Sequence, residues 1–238
     1  MPGKLYGIGI GPGDPGLVTL KALRLLQSVD LIFVPRADSG EGSIALSILR
    51  KLLPHKYYSE LVFPMVRDRS QLHEHWRRAA EIVSEKVAQG MEVAFVTLGD
   101  PLLYSTYNYL LKALAQRTPS IEVETIPGIT SFTAAAALVN LSLAEGDQRL
   151  AVLPASAEVE TLKRALQEFD TVVLMKIGQR LAHVKQLLRE LGLTQDAVLV
   201  CRAGLEEQFV ARDISQADGE SLGYLSVVII RHRKEAKG

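Results

Sequence analysis

Three stretches put glycine, proline and a small polar or acidic residue at the point where an apolar run gives way to a helical pattern. They are Gly11-Pro12-Gly13-Asp14-Pro15-Gly16, then Leu98-Gly99-Asp100-Pro101, then Pro127-Gly128-Ile129-Thr130-Ser131. In α/β proteins ligands bind where the carboxyl ends of strands open into a crevice, so these residues are the first candidates for chemistry. Gly11, Gly13 and Gly16 fit G-x-G-x-x-G, the pattern that cradles a dinucleotide pyrophosphate. Two features argue against that cradle. Pro12 and Pro15 each remove a backbone N–H, the group that binds phosphate. The acid required at the end of the second strand is missing: Asp30 stands at its start and the far end reads Val34-Pro35-Arg36. Arg36 could meet a 2′-phosphate, but no Gly-Lys-Ser/Thr follows the loop, so a Walker site is absent. A single glycine loop does no more than permit a tight turn. Three of them favour a ligand that is not a polyphosphate. Gly99 lets backbone approach that ligand, and Asp100 offers an acceptor that can cap Leu103 or bind the ligand itself.

Other reactive side chains are poorly placed. His73 and His75 are two apart, on divergent faces of a predicted helix, and no i,i+4 partner has ligand chemistry. His55, His183 and His232 are isolated, so no protein-bound metal is expected. The one cysteine, Cys201, near a strand end, reads as a small buried apolar residue. Ser105 lacks the G-x-S-x-G elbow of a serine hydrolase.

The elements that must position these loops alternate along the chain. Strands are expected at 4–10, 30–34, 58–63, 92–97, 121–126, 149–153, 171–175, 197–200 and 225–230. Helices are expected at 17–28, 43–53, 71–89, 105–116, 130–139, 158–169 and 181–191. The first helix places Leu17, Leu20, Leu23, Leu25 and Leu26 near one face. Such alternation implies an α/β protein with largely parallel pairing. Polar and turn residues at 140–148 interrupt it, which puts a boundary between about 120 and 148, near 125.

At 238 residues the chain can form two domains of ordinary size, 1–125 and 126–238. Lys plus Arg equals Asp plus Glu, 27 against 27, which argues against a general nucleic-acid binder. The longest apolar runs, such as 224–230, fall short of the ~20 residues of a membrane span. Met1-Pro2-Gly3 leads almost directly into a strand, and one cysteine cannot form an internal disulfide. The expectation is a cytoplasmic protein.

Taken together, Gly-x-Gly-Pro-Gly-Asp, the central Gly-Asp-Pro and Pro-Gly-Ile-Thr-Ser resemble the tetrapyrrole (uroporphyrinoid) methylase family, and the likeness extends to Val173-Leu-Met-Lys-Ile177-Gly178. That resemblance implies a two-domain α/β fold, each half a mostly parallel or mixed sheet flanked by helices, with the active site in the cleft between. It implies S-adenosylmethionine as cofactor, a small tetrapyrrole substrate and a homodimer, without nucleic-acid or membrane partner. The stretch Gly-Asp-Pro-Leu-Leu-Tyr-Ser-Thr-Tyr, supported by 33–45, is most similar to the branch that methylates the C-20 meso carbon of precorrin-2 or its cobalt complex. Other family methylases, acting on uroporphyrinogen III, other precorrins, RNA or a modified histidine, are the competing enzymes. A module that only senses S-adenosylmethionine is the non-enzymatic one.

Carried onto this sequence, the resemblance gives Pro12, Leu98, Gly99, Asp100, Leu103, Thr130, Ser131, Ile177 and Gly204 (or Ala203) to the cofactor. Gly11, Gly13, Arg36, Arg67, Arg69, Ser105 and Thr106 fall to the substrate, whose eight carboxylates call for cations. Tyr104 and Asp14, then His73, are the candidates for a general base. Leu103 and Ile177 are equally readable as core, and Asp100 as a helix cap.

Overall fold

A computed structural model describes residues 3–37, 42–63, 69–217, 222 and 225–232, with backbone only at 69–71. The chain divides into two units, Met1–Thr130 and Ser131–Gly238.

In the first unit β1 (Lys4–Gly9), β2 (Leu31–Ala37), β3 (Tyr58–Phe63), β4 (Val93–Thr97) and β5 (Glu122–Ile126) alternate with α1 (Leu20–Ser28), α2 (Ile44–Leu52), α3 (Arg69–Ala88) and α4 (Tyr107–Arg117). The sheet order is β3-β2-β4-β1-β5, and every pairing is parallel. From β1 to β3 the chain steps toward one edge; from β3 to β5 it steps back. Right-handed crossovers therefore put α1 and α2 on one face and α3 and α4 on the other. The α3/α4 face buries Leu5, Phe33, Phe95, Val83, Tyr107 and Leu110 in one cluster. The chain leaves the neighbouring strands β1 and β4 toward opposite faces, so a topological switch point lies at their carboxyl ends.

The second unit holds α5 (Ser131–Val139), β6 (Leu150–Pro154), α6 (Val159–Glu168), β7 (Thr171–Met175), α7 (Leu181–Glu190), β8 (Ala197–Cys201), β9 (Phe209–Ala211) and β10 (Ser226–Arg231). Its sheet order is β6-β7-β10-β8-β9. Leu162, Leu166, Val184 and Leu188 of α6 and α7 pack on one face with Leu174, Leu199 and Val228. Ala135, Ala136 and Val139 of α5 pack on the other with Val173, Val200 and Ile229. Both guanidinium ends of Arg212 reach the Val139 carbonyl, closing the last turn of α5.

The second sheet is mixed, one of the two forms expected: β6–β7 is parallel, β10 runs antiparallel between β7 and β8, and β9 is antiparallel at the edge. Two element expectations need correction. One strand beyond the nine expected, β9, has three residues, too few for an alternating pattern to register. The first helix begins later than expected, because Pro15–Leu17 forms a separate 3-10 turn and the Thr19 hydroxyl caps α1 by accepting from Ala22 N at 3.2 Å. The apolar face shifts accordingly: Ala22 and Leu26 are buried, and Leu20 is 71% exposed.

Candidate active site

The carboxyl ends of β4, β1 and β5, side by side in the first sheet, meet without side chains between them. Ile10 N donates to Thr97 O at 3.0 Å, and Gly99 N donates to Gly11 O at 2.7 Å, a single bridge across the switch point. A Cβ on Gly9 would stand 2.5 Å from Gly99 O, 2.7 Å from Gly128 N and 2.8 Å from Gly128 Cα. A Cβ on Gly128 would run into the same Gly99 carbonyl. Three backbones are thus in direct contact, which only glycine allows. Gly11 and Gly99 also take positive φ, 75° and 68°.

Asp100 locks this junction. Its Oδ2 accepts from Gly128 N at 3.1 Å and its Oδ1 from Leu102 N at 2.9 Å, so one carboxylate ties the loop after β4 to the loop after β5. The expected cap on Leu103 is corrected: the side chain bonds Leu102, and α4 starts only at Tyr107. There Ser105 Oγ accepts from Tyr107 N at 3.0 Å, while Thr106 makes no side-chain cap. Asp14, exposed, accepts from Gly16 N at 2.7 Å and caps the 3-10 turn. Tyr104 is 38% exposed and holds φ at 51°, a conformation uncommon outside glycine.

Of the other expected residues, Pro12 and Gly13 are buried and Leu98, Leu103 and Thr130 half-buried on the first unit's strand-end loops. Ser131, Ile177 and Gly204 belong to the second unit. The Ile177 side chain is wholly buried in the α6/α7 core. Gly204 takes φ 79° and its N–H donates to Gln208 Oε1 at 2.9 Å. Arg36 is not a lone cation: its Nε lies 2.8 Å from Glu60 Oε2 on β3, off the hydrogen-bond line, as an ion pair. Arg67 lies outside the described residues, as does the Arg69 side chain. His73 meets Trp76 edge-on at 5.2 Å, and Trp76 stacks on Tyr109 at 4.1 Å, which joins α3 to α4.

Sequence reasoning passed over Gly9 and Thr97. The signal for Gly9 was present, since glycine recurring inside a strand marks close backbone approach. Gly7 serves the same end: a Cβ there would enter the Tyr107 ring. The Tyr107 hydroxyl lies 2.9 Å from Thr125 Oγ1, and burial pushes its pKa up, so it stays protonated. The Thr97 hydroxyl, at the end of β4, is buried with no partner among the described residues. No group of three or more His, Cys, Asp or Glu side chains could hold a metal among the described residues. Among them, too, no helix is long and apolar enough to cross a membrane.

The fold defines an α/β protein with two five-stranded sheets, whose strand ends in the first unit meet as backbone rather than side chain. The sequence model for Tetrapyrrole (Corrin/Porphyrin) Methylases matches residues 4–217, and the chain belongs to that family. It is 39% identical to a protein of Methanocaldococcus jannaschii named probable cobalt-precorrin-2 C(20)-methyltransferase, over 97% of both chains. It is 37% identical to the cobalt-precorrin-2 C(20)-methyltransferase of Salmonella typhimurium, over 99% of both. Among solved structures, the uroporphyrin-III C-methyl transferase of Thermus thermophilus in complex with S-adenosyl homocysteine superposes with a TM-score of 0.66 at 23% identity, covering 96% of this chain and 97% of the other.

Proposed function

We propose that this chain is an S-adenosylmethionine-dependent C-methyltransferase acting on the C-20 meso carbon of precorrin-2 or its cobalt complex, in cobalamin synthesis. Full-length similarity to proteins named for that reaction supports the substrate. The observation that carries the site is the all-glycine junction of Gly9, Gly99 and Gly128, clamped by Asp100. The residues fit the cofactor: the buried, unpartnered Thr97 hydroxyl suits a polar ligand, and the glycine ends leave backbone to meet it.

When bound, S-adenosylmethionine supplies a methyl group on a sulfonium, ready for in-line displacement by an electron-rich carbon. The protein's part is then mainly position, an effect worth up to about 7–11 kcal/mol when geometry is held. The Gly11–Gly99 bridge and the Asp100 clamp hold it, keeping the strand-end loops from drifting. Asp100 accordingly acts through the loops rather than as a direct ligand. Leu98, Gly99, Leu103, Thr130 and Pro12 are the cofactor-facing set of the first unit. Tyr104 and Asp14 are the candidates for receiving the proton lost from the methylated carbon; the Asp14 carboxylate also accepts from Gly16 N as a cap. The first unit carries the substrate trough, with Gly11, Gly13, Ser105 and Thr106 at its strand ends. A homodimer working in the cytoplasm, without nucleic-acid or membrane partner, completes the reading; the balanced charge supports the absence of a nucleic-acid partner.

The test is incubation with methyl-labelled S-adenosylmethionine and enzymatically made precorrin-2, with and without cobalt. Label should enter a trimethylated tetrapyrrole. Absence of label from both forms would overturn the assignment.

A further inference from the structure

The loop between β4 and α4, residues 98–106, carries Leu98, Gly99, Leu103, Tyr104, Ser105 and Thr106, and it is fastened to the β5 segment at both ends. At its start Asp100 Oδ2 accepts from Gly128 N at 3.1 Å, just beyond β5. At its end stands Tyr107, the first residue of α4 and the last of the Gly-Asp-Pro-Leu-Leu-Tyr-Ser-Thr-Tyr stretch. The Tyr107 hydroxyl lies 2.9 Å from Thr125 Oγ1 on β5, and the Tyr107 N–H donates to Ser105 Oγ at 3.0 Å. The ring lies on β1, where a Cβ on Gly7 would stand 2.0 Å from Tyr107 Cζ, and it stacks with Phe95 of β4, ring centroids 6.0 Å apart. One wholly buried side chain therefore meets all three strands whose ends form the glycine junction.

Packing alone does not call for the hydroxyl. Phenylalanine would fill the same space, and a paired neutral hydroxyl adds little to stability while an unpaired buried one costs. What the Tyr107–Thr125 contact adds is direction, because a hydrogen bond fixes where the start of α4 stands on β5 and an apolar contact does not. The loop has matching demands. Between its two anchors Tyr104 holds φ 51°, and such strain persists where the surrounding structure over-determines it. Asn108, the next residue of α4, donates from Nδ2 to Leu102 O at 3.3 Å, so the course of the loop depends on where α4 begins.

We propose that Tyr107 is a positioning residue for the tetrapyrrole: through Thr125 it sets Ser105 and Thr106 at the trough, while Asp100 sets the cofactor-facing start of the same loop. The inference rests on the function proposed above. Thr125 belongs to neither ligand-facing set, so its effect on substrate passes through Tyr107. Without the bond the second half of the loop leaves its place, and substrate binding has to restore it. Apparent affinity then falls with the fraction of molecules still in place, and saturating substrate recovers the rate.

The experiment compares the full chain with Tyr107→Phe, Thr125→Val and the double variant, by thermal unfolding, steady-state kinetics on precorrin-2 and calorimetric binding of S-adenosylhomocysteine. Each single variant leaves one hydroxyl without its partner and should lower Tm; the double variant removes both and should return Tm toward the parent. KM for the tetrapyrrole should rise roughly two- to tenfold in all three, the range a neutral hydrogen bond is worth as an equilibrium constant. Both kcat and S-adenosylhomocysteine affinity should stay near the parent's. A raised KM in a double variant of recovered stability is the result that a merely structural pair would not give. Parental KM in the single variants would overturn the proposal, and so would a KM that follows Tm back in the double variant. S-adenosylhomocysteine binding weakened alongside KM would overturn it in favour of a pair that serves the whole loop. A parent protein that fails to methylate precorrin-2 sinks the function itself, and this inference with it; an active parent with indifferent variants sinks the inference alone.

Discussion

Replacing Gly9 by alanine adds one methyl group at the point where β1, β4 and β5 meet. The new carbon would lie 2.5 Å from Gly99 O, 2.7 Å from Gly128 N and 2.8 Å from Gly128 Cα, all backbone atoms that cannot rotate away. Gly9 has no positive φ, so the cost is steric alone. Overpacking of this kind costs about 1–3 kcal/mol, against about 0.4–1 kcal/mol gained by restricting the unfolded chain. The net, about 1–2 kcal/mol, corresponds to a Tm lowered by about 2–8 °C at this chain length. Binding should suffer more than stability. The strands must part by some tenths of an ångström, at the backbone the cofactor is proposed to meet, so the contacts there are disturbed directly. The matched control is Gly146→Ala. Gly146 also needs its glycine, with φ 55°, but a Cβ there meets nothing within 4 Å. It should lower stability by about 1–2 kcal/mol through the backbone alone. Calorimetric titration with S-adenosylhomocysteine then separates the two: at least tenfold weaker for Gly9→Ala, unchanged for Gly146→Ala. Equal affinity in both variants would refute the claim that the glycine junction faces the cofactor.

The remaining predictions concern single side chains. Asp100→Asn keeps one acceptor and turns an amide N–H₂ toward the other backbone N–H, either Leu102 or Gly128. It should cost about 1–3 kcal/mol in thermal unfolding and weaken S-adenosylhomocysteine binding; unchanged affinity would remove Asp100 from the site's support. The Glu124 carboxyl is held below its ordinary pKa by hydrogen bonds from Lys21, at 2.7 Å, and Lys4, at 3.0 Å. A depressed carboxyl pKa gives stability that is present above the ordinary value and lost as pH falls through the folded one. Glu124→Gln should therefore show a shallower loss of Tm below roughly pH 5 than the parent, and parallel curves would contradict it. Burial pushes the Cys201 thiol pKa up, and its Sγ donates to Leu222 O at 3.1 Å. A thiol reagent should label the native protein negligibly and the unfolded protein once; fast native labelling would show the core to be open there.

What the sequence disclosed of the fold follows from which signals are local. The strands and helices of the first sheet stand out because every strand has its own apolar run and every crossover its own helix. The order β3-β2-β4-β1-β5 did not, since it is set by pairing between distant segments. Direction was equally hidden in the second sheet. Val227, Val228, Ile229 and Ile230 are all buried, as in a strand covered on both faces, and such a run looks the same whichever way it lies. The expectation of a mostly parallel or mixed sheet therefore left β10's direction open for a physical reason: periodicity carries burial but no polarity. The late start of α1 was readable in principle, because Thr19 is an ordinary N-cap three residues before Ala22, but the leucines at 17 and 20 drew the helix forward.

At the site, the residue types were legible and their partners were not. Asp100 reads locally as a cap for the helix that follows, and one of its bonds does stay local, to Leu102 N. The other reaches Gly128, 28 residues away, and that bond changes the residue's work from decorating a helix to joining two strand ends. Arg36 reads as a spare cation until β3 brings Glu60 beside it. The glycines behave differently, because the lack of a side chain is itself the message. A glycine inside a strand at Gly9 and another in a turn at Gly128 each look permissive alone; only contact between them shows that neither can be exchanged. At a switch point the two neighbouring chains leave for opposite faces, so the crevice between them tends to open. Here the Gly11–Gly99 bridge and the Asp100 carboxylate work against that opening, the first between backbone groups and the second by accepting from the Gly128 backbone N–H. Methyl transfer by in-line displacement asks for little from side chains and much from position. A junction made of backbone, held from two sides, is what that demand would select.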